Sequence, residues 1–329
     1  MRIRFISDIH YYLNLETEPT EFTDIMSKKE PADITLIAGD MSACLDEAKT
    51  FLEKYFKDEK VVFVNGNHCV YNKEGLTLEE INNSYTALFK DQWKFLENGF
   101  VDLGNHVYVI GAIGWTDFLI HYETRSHYIK RINARKHYIE THPKVFFDGK
   151  WQEVIYTDFL PEDPGKYYDE KFRNKEKTRQ YAFYSAQHGM NDFRFGKMKF
   201  RNKTRMMTPA DTYKIHKQTL HFIRKAYDRI ISKDKDAIII LMTHHPFTKK
   251  CISERYRNSE LNPAFVSDHD SWLKKFKNIK YIHCGHVHQR FFKKLGDKQV
   301  ICNPMGYLYY MEHQMDEPFN INYILDIKG

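Results

Sequence analysis

Nothing in this 329-residue chain is apolar over the roughly 20 consecutive residues that a membrane-spanning helix requires, so no membrane protein is expected. Cys-x-x-Cys pairs are missing too. The five cysteines, Cys44, Cys69, Cys251, Cys284 and Cys302, are odd in number and scattered, which argues against a disulfide framework or a structural zinc site and for a reducing compartment. Met1-Arg2-Ile3-Arg4-Phe5 reads as the start of a strand, not as a secretory leader, and a cytoplasmic location is expected. There is also no internal repeat, heptad seam or low-complexity tract.

What is present is enough apolar residue, 42%, for a sizeable core at this length. The net charge of +6 is unevenly placed. Between Leu119 and Met207 there are 19 Lys/Arg against 11 Asp/Glu, a net of +8, leaving −2 for the rest of the chain. That segment also holds 17 of the 50 aromatic residues and shows no clean periodicity. It is too aromatic for a disordered linker, and we read 119–207 as a folded insertion within a single 1–329 domain. It serves either as a cover for apolar surface or as a grip on a polyanionic substrate.

The most informative pattern is a repeated way of ending strands. Asp33 to Asp40 is a short β-branched run closed by Gly39-Asp40. Met1 to Ile6 ends in Ser7-Asp8-Ile9-His10, and Lys60 to Val64 ends in Asn65-Gly66-Asn67-His68. Ala237 to Met242 ends in Thr243-His244-His245-Pro246, and Asn278 to Ile282 ends in His283-Cys284-Gly285-His286-Val287-His288. Each end delivers Asp, Asn or His, and the carboxyl ends of parallel strands are where open α/β sheets place ligands.

Between these strands the pattern predicts helices over Phe22 to Lys29, Leu45 to Phe56, Thr77 to Phe95, Pro209 to Ser232 and Ser267 to Phe276. Thr77 with Glu80 has capping-box spacing. Further strands are expected at Val101 to Leu103, Val107 to Ile113, Gln289 to Lys294, Gln299 to Cys302 and Asn320 to Ile327. Alternating strand and helix argues for parallel β-α-β units.

Asp, Asn and neutral His suit borderline divalent ions such as Mn, Fe, Zn or Co, whereas a calcium site would use oxygens alone. Asp8, His10, Asp40, Asn67, His244, His286 and His288 exceed the needs of one open site, so two ions are expected, with a shared carboxylate. The series Asp8-x-His10, Gly39-Asp40, Gly66-Asn67-His68, His244-x-Pro246 and Gly285-His286-x-His288, in that order, resembles the calcineurin-like metallophosphoesterase superfamily over almost the whole chain. Trp115-Thr116-Asp117-Phe118, Met190-Asn191-Asp192-Phe193-Arg194 and Asn303-Pro304-Met305-Gly306-Tyr307 look like secondary signatures of one bacterial and phage-type branch.

The resemblance implies a two-sheet α/β/β/α sandwich with the insertion as a cap beside the cleft. It implies Asp8, His10 and His288 on one ion, Asn67, His244 and His286 on the other, and Asp40 bridging. Manganese is the favoured metal. Hydroxide shared between the ions would attack phosphorus, and His68 would protonate the leaving oxygen. His245 stands beside a ligand as a substrate contact or a support. The expected substrate is a phosphodiester of nucleotide or nucleic-acid type, held in part by the basic insertion. A phosphomonoesterase or protein phosphatase would use the same site, and a degenerate scaffold for protein partners would lack ligands, none of which is missing here.

Two positions depart from the family pattern. Cys69 stands where an acidic residue commonly supports the histidine, which predicts a weaker acid at His68. Met305 replaces an Arg expected before Gly-Tyr, so phosphate contact is either lost or supplied from the insertion. The other histidines, His106, His216, His221, His269, His283 and His313, are read as solvated or satisfied core residues; His121, His127, His137, His142 and His188 are read as surface.

Overall fold

The computed structural model describes every residue except Lys73, Lys90, 121–122, 142–143, 148–149, 154–160, Asn202 and 312–316. His121, His142 and His313 therefore lie outside the described residues, as does part of the 119–207 segment. The strands in chain order are β1 (Arg2–Ile6), β2 (Ile34–Ala38), β3 (Lys60–Val64), β4 (Trp93–Phe95), β5 (Gly99–Gly104) and β6 (Val107–Ala112). Two hairpins follow, β7 (Lys144–Phe147) with β8 (Lys150–Glu153) and β9 (Lys197–Phe200) with β10 (Lys203–Met206). The remainder are β11 (Ile238–Thr243), β12 (Ile279–Cys284), β13 (Phe291–Leu295), β14 (Lys298–Cys302) and β15 (Ile324–Asp326).

Two sheets carry the architecture. The first runs β15-β1-β2-β3-β4, and the second runs β13-β14-β12-β11-β6-β5. In the first, β1 to β4 are mutually parallel and β15 closes one edge antiparallel. In the second, β14, β12, β11 and β6 are parallel, with antiparallel β13 and β5 at the edges. Strands such as β2, Ile-Thr-Leu-Ile-Ala, are buried along their whole length, as expected when both faces are covered.

Burial shows four layers. Ile3, Phe5, Leu36 and Val62 of the first sheet meet Val109, Ile240, Met242 and Ile301 of the second in one apolar layer. The opposite face of the first sheet, with Ile6, Ile37 and Phe63, receives Phe22, Phe51, Leu52, Ile81 and Tyr85 from the helices Pro19–Ser27, Leu45–Tyr55 and Leu78–Leu88. The outer face of the second sheet packs on Ile223, Ala226 and Ile230 of the helix Pro209–Lys233. Helix, sheet, sheet and helix therefore stack as the α/β/β/α sandwich expected. His283 stitches the sheets together: its Nε2 stands 3.0 Å from the Ile6 carbonyl across the interface.

Two expectations need correction. The helix expected over Thr77 to Phe95 stops at Leu88, and Trp93 to Phe95 is instead the edge strand β4, paired parallel with β3. The capping box at Thr77 forms, but Trp-Lys-Phe has the period of a strand and buries Phe95 against Phe63 and Tyr85. The helix expected over Ser267 to Phe276 shrinks to Asp270–Leu273. In 119–207 there are helices, Arg125–Thr141, Pro164–Lys171 and Lys175–Gly189. Their periodicity is faint because the contacts rest on small or isolated residues: Lys175–Gly189 buries Ala182 and Ala186. Among the described residues no helix is long and apolar enough to cross a membrane.

Candidate metal centre

The five strand ends do not lie in one sheet. Asp8, Asp40 and Asn67 follow β1, β2 and β3, while His244 and His286 follow β11 and β12, so the two sheets bring their carboxyl ends together. Backbone bonds interlace the turns: Asp8 N donates to Gly39 O, His10 N to Asp40 O, Gly285 N to His244 O, and Gly306 N to Asp8 O. To turn inward so sharply, Asp8, His10, Asp40, His286 and His288 all adopt positive φ, between 43° and 70°. For non-glycine residues this costs on the order of 1–3 kcal/mol each and persists only where the surroundings enforce it. Gly39, at φ 88°, accepts such a backbone without cost, and a side chain at Gly66 would overlap the Asp40 carboxylate.

Two groups of donors result. Asp8, His10 and His288 form the first: His288 Nε2 stands 3.5 Å from Asp8 Oδ1 and 3.1 Å from His10 Nε2. Asn67, His244 and His286 form the second: Asn67 Oδ1 is 2.9 Å from His244 Nε2 and 3.0 Å from His286 Nδ1. Asp40 lies between the groups, its Oδ2 3.3 Å from His244 Nε2 and 3.9 Å from His10 Nε2. Its Oδ1 accepts from the backbone N–H of His68 at 3.0 Å. Three sets of side-chain atoms close within 4.8 Å: Asp8–His10–His288, His10–Asp40–His68 and Asp8–Asp40–His244.

These residues fit divalent ions. Asp8 Oδ2 and Asp40 Oδ2 are buried without a hydrogen-bond partner. A buried carboxylate oxygen in that state is costly unless a cation meets it. Burial would raise both carboxyls, but the hydrogen bond and charge of His288 hold Asp8 below the ordinary range, and the His244 and His68 charges hold Asp40 well below it. Burial keeps His10 and His286 well below the usual imidazole value, hence neutral with a lone pair to offer. At His244 burial is outweighed by Asp40, and the ring is pushed up to about 9, giving two carboxylates the positive charge that an ion would otherwise supply.

His68 lies at the edge of this centre, its ring 4.6 Å from that of His10. Its Nε2 meets the hydroxyl of Tyr307 at 3.0 Å. Cys69 does not face it. The thiol is 4% exposed in the core below the first sheet and donates to Ser42 O at 3.6 Å, while burial pushes it up to about 12. The group that meets the His68 ring is the Tyr307 hydroxyl, which is neutral, and burial lowers the imidazole from its ordinary value. Met305 is likewise fully buried, among Ile6, Ile9 and Leu308, and its side chain belongs to the core.

His245 is also buried, its Nδ1 3.3 Å from Ile113 O and its ring between those of Trp115 and His286. Its ring lies 4.2 Å from that of His286. Three side chains at the centre had no role in the sequence analysis. Tyr307 packs against His10 and His288, Tyr71 meets Asn67, and Asp192 meets Tyr71. Tyr307 and Asp192 stand inside recognisable motifs, but nothing in their spacing indicates the contact. Of the remaining histidines, His216 is buried against His269, His106 pairs with Asp234, and His127, His137, His188 and His221 are exposed.

A cavity of about 450 Å³ opens onto the centre, with Asp40, Asn67, His68, His286 and His288 in its wall. A family model for calcineurin-like phosphoesterases matches residues 1–181, more than half of the chain. The chain belongs to that family. Calcineurin-like phosphoesterases use divalent metals, in keeping with the donor groups above. Among solved structures, the fold is similar to that of phosphopantetheinyl hydrolase (PptH) from Mycobacterium tuberculosis, with a TM-score of 0.58 and 13% identity, covering 99% of this chain and 95% of that one. At that identity the likeness concerns the fold alone. A protein designated a 5'-nucleotidase from Staphylococcus aureus, in complex with alpha-ketoglutarate, covers 93% of this chain and 49% of its own at 13% identity, but its TM-score of 0.43 carries no argument. No curated protein matches the sequence.

Proposed function

We propose that this calcineurin-like chain is a binuclear metal-dependent phosphoesterase acting on a small phosphodiester of nucleotide type. The observation that carries the reading is Asp40, a buried carboxylate reached by His10 from one donor group and by His244 from the other. Asp8, His10 and His288 would hold one ion, Asn67, His244 and His286 the second, with Asp40 shared. Two divalent ions held there would polarise the phosphoryl oxygens and make water a stronger nucleophile. In this reading His68 would give a proton to the leaving oxygen, with its ring held by the 3.0 Å contact of Nε2 with the Tyr307 hydroxyl.

The cavity supports a small substrate, since about 450 Å³ falls within the roughly 300–1,000 Å³ typical of small-molecule sites. The segment 119–207 contributes Gly189, Met190 and Asn191 to the wall, and among the described residues none of its Lys or Arg lines it. The cation there is Arg255, from the loop that follows β11. Tyr71, Tyr256, Phe265 and Tyr307 offer aromatic faces for a base. A substrate with one scissile phosphodiester and a second anionic group fits this lining.

The test is hydrolysis of bis-p-nitrophenyl phosphate against p-nitrophenyl phosphate with added manganese, in the native protein and in Asp40→Asn. Diester hydrolysis should dominate. It should fall at least about 10³-fold in the variant, because several kcal/mol of metal-derived stabilisation are lost at about 1.4 kcal/mol per tenfold. Monoester preference would replace this reading with a phosphatase, and silence together with absence of bound metal would replace it with a scaffold.

A further inference from the structure

Asn67 is the one amide among the donors of the centre, and an amide has two ends. Only its oxygen can ligate a cation, so its two orientations are not equivalent chemically even though they fill the same space. Asn67 is 3% exposed, and its Oδ1 sits between His244 Nε2 and His286 Nδ1. Its Nδ2 donates to the hydroxyl oxygen of Tyr71 at 3.0 Å. Tyr71 in turn donates to Asp192 Oδ1, also at 3.0 Å.

The direction of this chain is fixed at its far end. A carboxylate only accepts hydrogen bonds, so Asp192 takes the phenolic hydrogen of Tyr71 and leaves that oxygen's lone pairs toward Asn67. A lone pair must be met by N–H, which turns the amide nitrogen to Tyr71 and the oxygen to the histidines. The opposite orientation would set amide oxygen against phenolic oxygen in a buried place, with no hydrogen between them, a loss of the order of an unmade buried hydrogen bond. Asp192 is itself 1% exposed, held at the start of the short helix Asp192–Phe195 in the 119–207 segment. Tyr71 closes the turn Asn67–Tyr71 and also packs its ring 4.5 Å from that of His68.

We propose that Asp192, acting through Tyr71 and directly on the neighbouring Asn67 amide, is a positioning residue that holds the Asn67 amide oxygen toward His244 and His286 and so sets the affinity of the second metal site. The inference rests on the binuclear reading above. It also gives the 119–207 segment a part at the centre, because the segment supplies the residue that orients a ligand carried by the first sheet. Partners behind metal ligands of this kind typically change affinity by about 10–100-fold when removed.

The experiment is calorimetric titration of the chelator-stripped full chain with manganese, for the native protein, Tyr71→Phe, Asp192→Leu and Asp192→Asn. Native protein should take up two ions. Tyr71→Phe and Asp192→Leu should weaken one of the two by about 10–100-fold and spare the other, while Asp192→Asn, which still offers an amide oxygen to Tyr71, should stay within about threefold of native. Circular dichroism melts of the stripped proteins separate this from failure to fold, and Asp192→Asn remains informative if the other two do not fold. The proposal is overturned if both sites keep native affinity in the first two variants, if both weaken together, or if Asn at 192 does as badly as Leu. Native protein that binds fewer than two ions would instead overturn the binuclear reading on which the proposal stands.

Discussion

Removing the carboxylate of Glu59 should destabilise the protein without touching its chemistry, and the size of the effect can be worked out from the pair it forms with Arg4. Arg4 is fully buried in β1 and its Nη1 lies 2.6 Å from Glu59 Oε2. The guanidinium also donates to Thr35 Oγ1, to Ile321 O and to Glu30 O. Glu59 accepts further bonds from Lys29 at 2.8 Å and from Thr35 at 2.8 Å. Glu59→Ala leaves a buried guanidinium without its anion, which costs about 3–5 kcal/mol. For a chain of this length that corresponds to a fall in Tm of roughly 6–10 °C, taking about 2 °C per kcal/mol. The double variant Arg4→Met, Glu59→Leu should recover most of the loss, since an apolar pair often replaces a buried ion pair at little net cost.

The pH dependence of that difference has a definite sign. Burial would raise the Glu59 carboxyl, but hydrogen bonds from Lys29, Arg4 and Thr35 outweigh it and hold the folded-state value below the ordinary 4.5. A depressed carboxyl contributes stability that is complete above its unfolded value and is lost as pH falls through the folded one. The gap in Tm between native protein and Glu59→Ala should therefore be full at neutral pH and close below about pH 4.5. Scanning calorimetry in chelator at several pH values measures it, and kcat on bis-p-nitrophenyl phosphate well below Tm should not change, because Glu59 precedes β3 at the amino ends of the strands. A variant melting within about 2 °C of native at neutral pH, or a gap that stays constant on acidification, would refute the reasoning.

Three further outcomes follow from the site. Arg255→Ala should raise KM about tenfold for a nucleotide diester bearing a second anionic group while holding kcat, the lower end of a charge-assisted hydrogen bond because the side chain is exposed; steady-state kinetics on substrates with and without that group check it. Cys69→Asp should lower Tm and give no gain in turnover on esters with poor leaving groups, since the new carboxylate would be buried beside Tyr85 and Ser42, at a cost of several kcal/mol. Chelation should lower Tm reversibly, and manganese at about 100 times its Kd should restore about 2.7 kcal/mol by mass action, followed by thermal melts at graded metal concentration.

Much of this architecture can be read from the chain because strand and chemistry share one signal. A run such as Ile34–Ala38 must be buried on both faces, and the Gly39-Asp40 that ends it is both the break in the strand and the source of a carboxylate. Each of the five strand ends works this way, so finding the strands also finds the donors. The misreadings fall where local pattern and tertiary demand diverge. The run from Thr77 has a true cap and a true helical stripe, yet the edge of the first sheet captures Trp93 to Phe95, and nothing local announces that β3 lacks a neighbour. Lys175–Gly189 packs through alanines, which leave little hydrophobic periodicity to detect.

What the chain conceals most thoroughly is the conformation and support of the donors. Asp8, His10, Asp40, His286 and His288 take positive φ without the glycine that would advertise it, because the cost is met by contacts from distant strands. Tyr71, Asp192 and Tyr307 are hidden for a related reason. Asp192 lies 121 residues from Tyr71, and Tyr307 lies 239 residues from His68, so each contact exists only once both sheets and the 119–207 segment have closed on one another. A donor must be a particular residue type at a strand end, and that requirement leaves a motif. A residue that orients a donor has only to place an acceptor or hydroxyl at one point in space, which many positions can do. Supporting residues of this kind therefore have to be found through geometry, and the pairing of Asn67 with Tyr71 and Asp192 is where geometry adds most to what the motifs already imply.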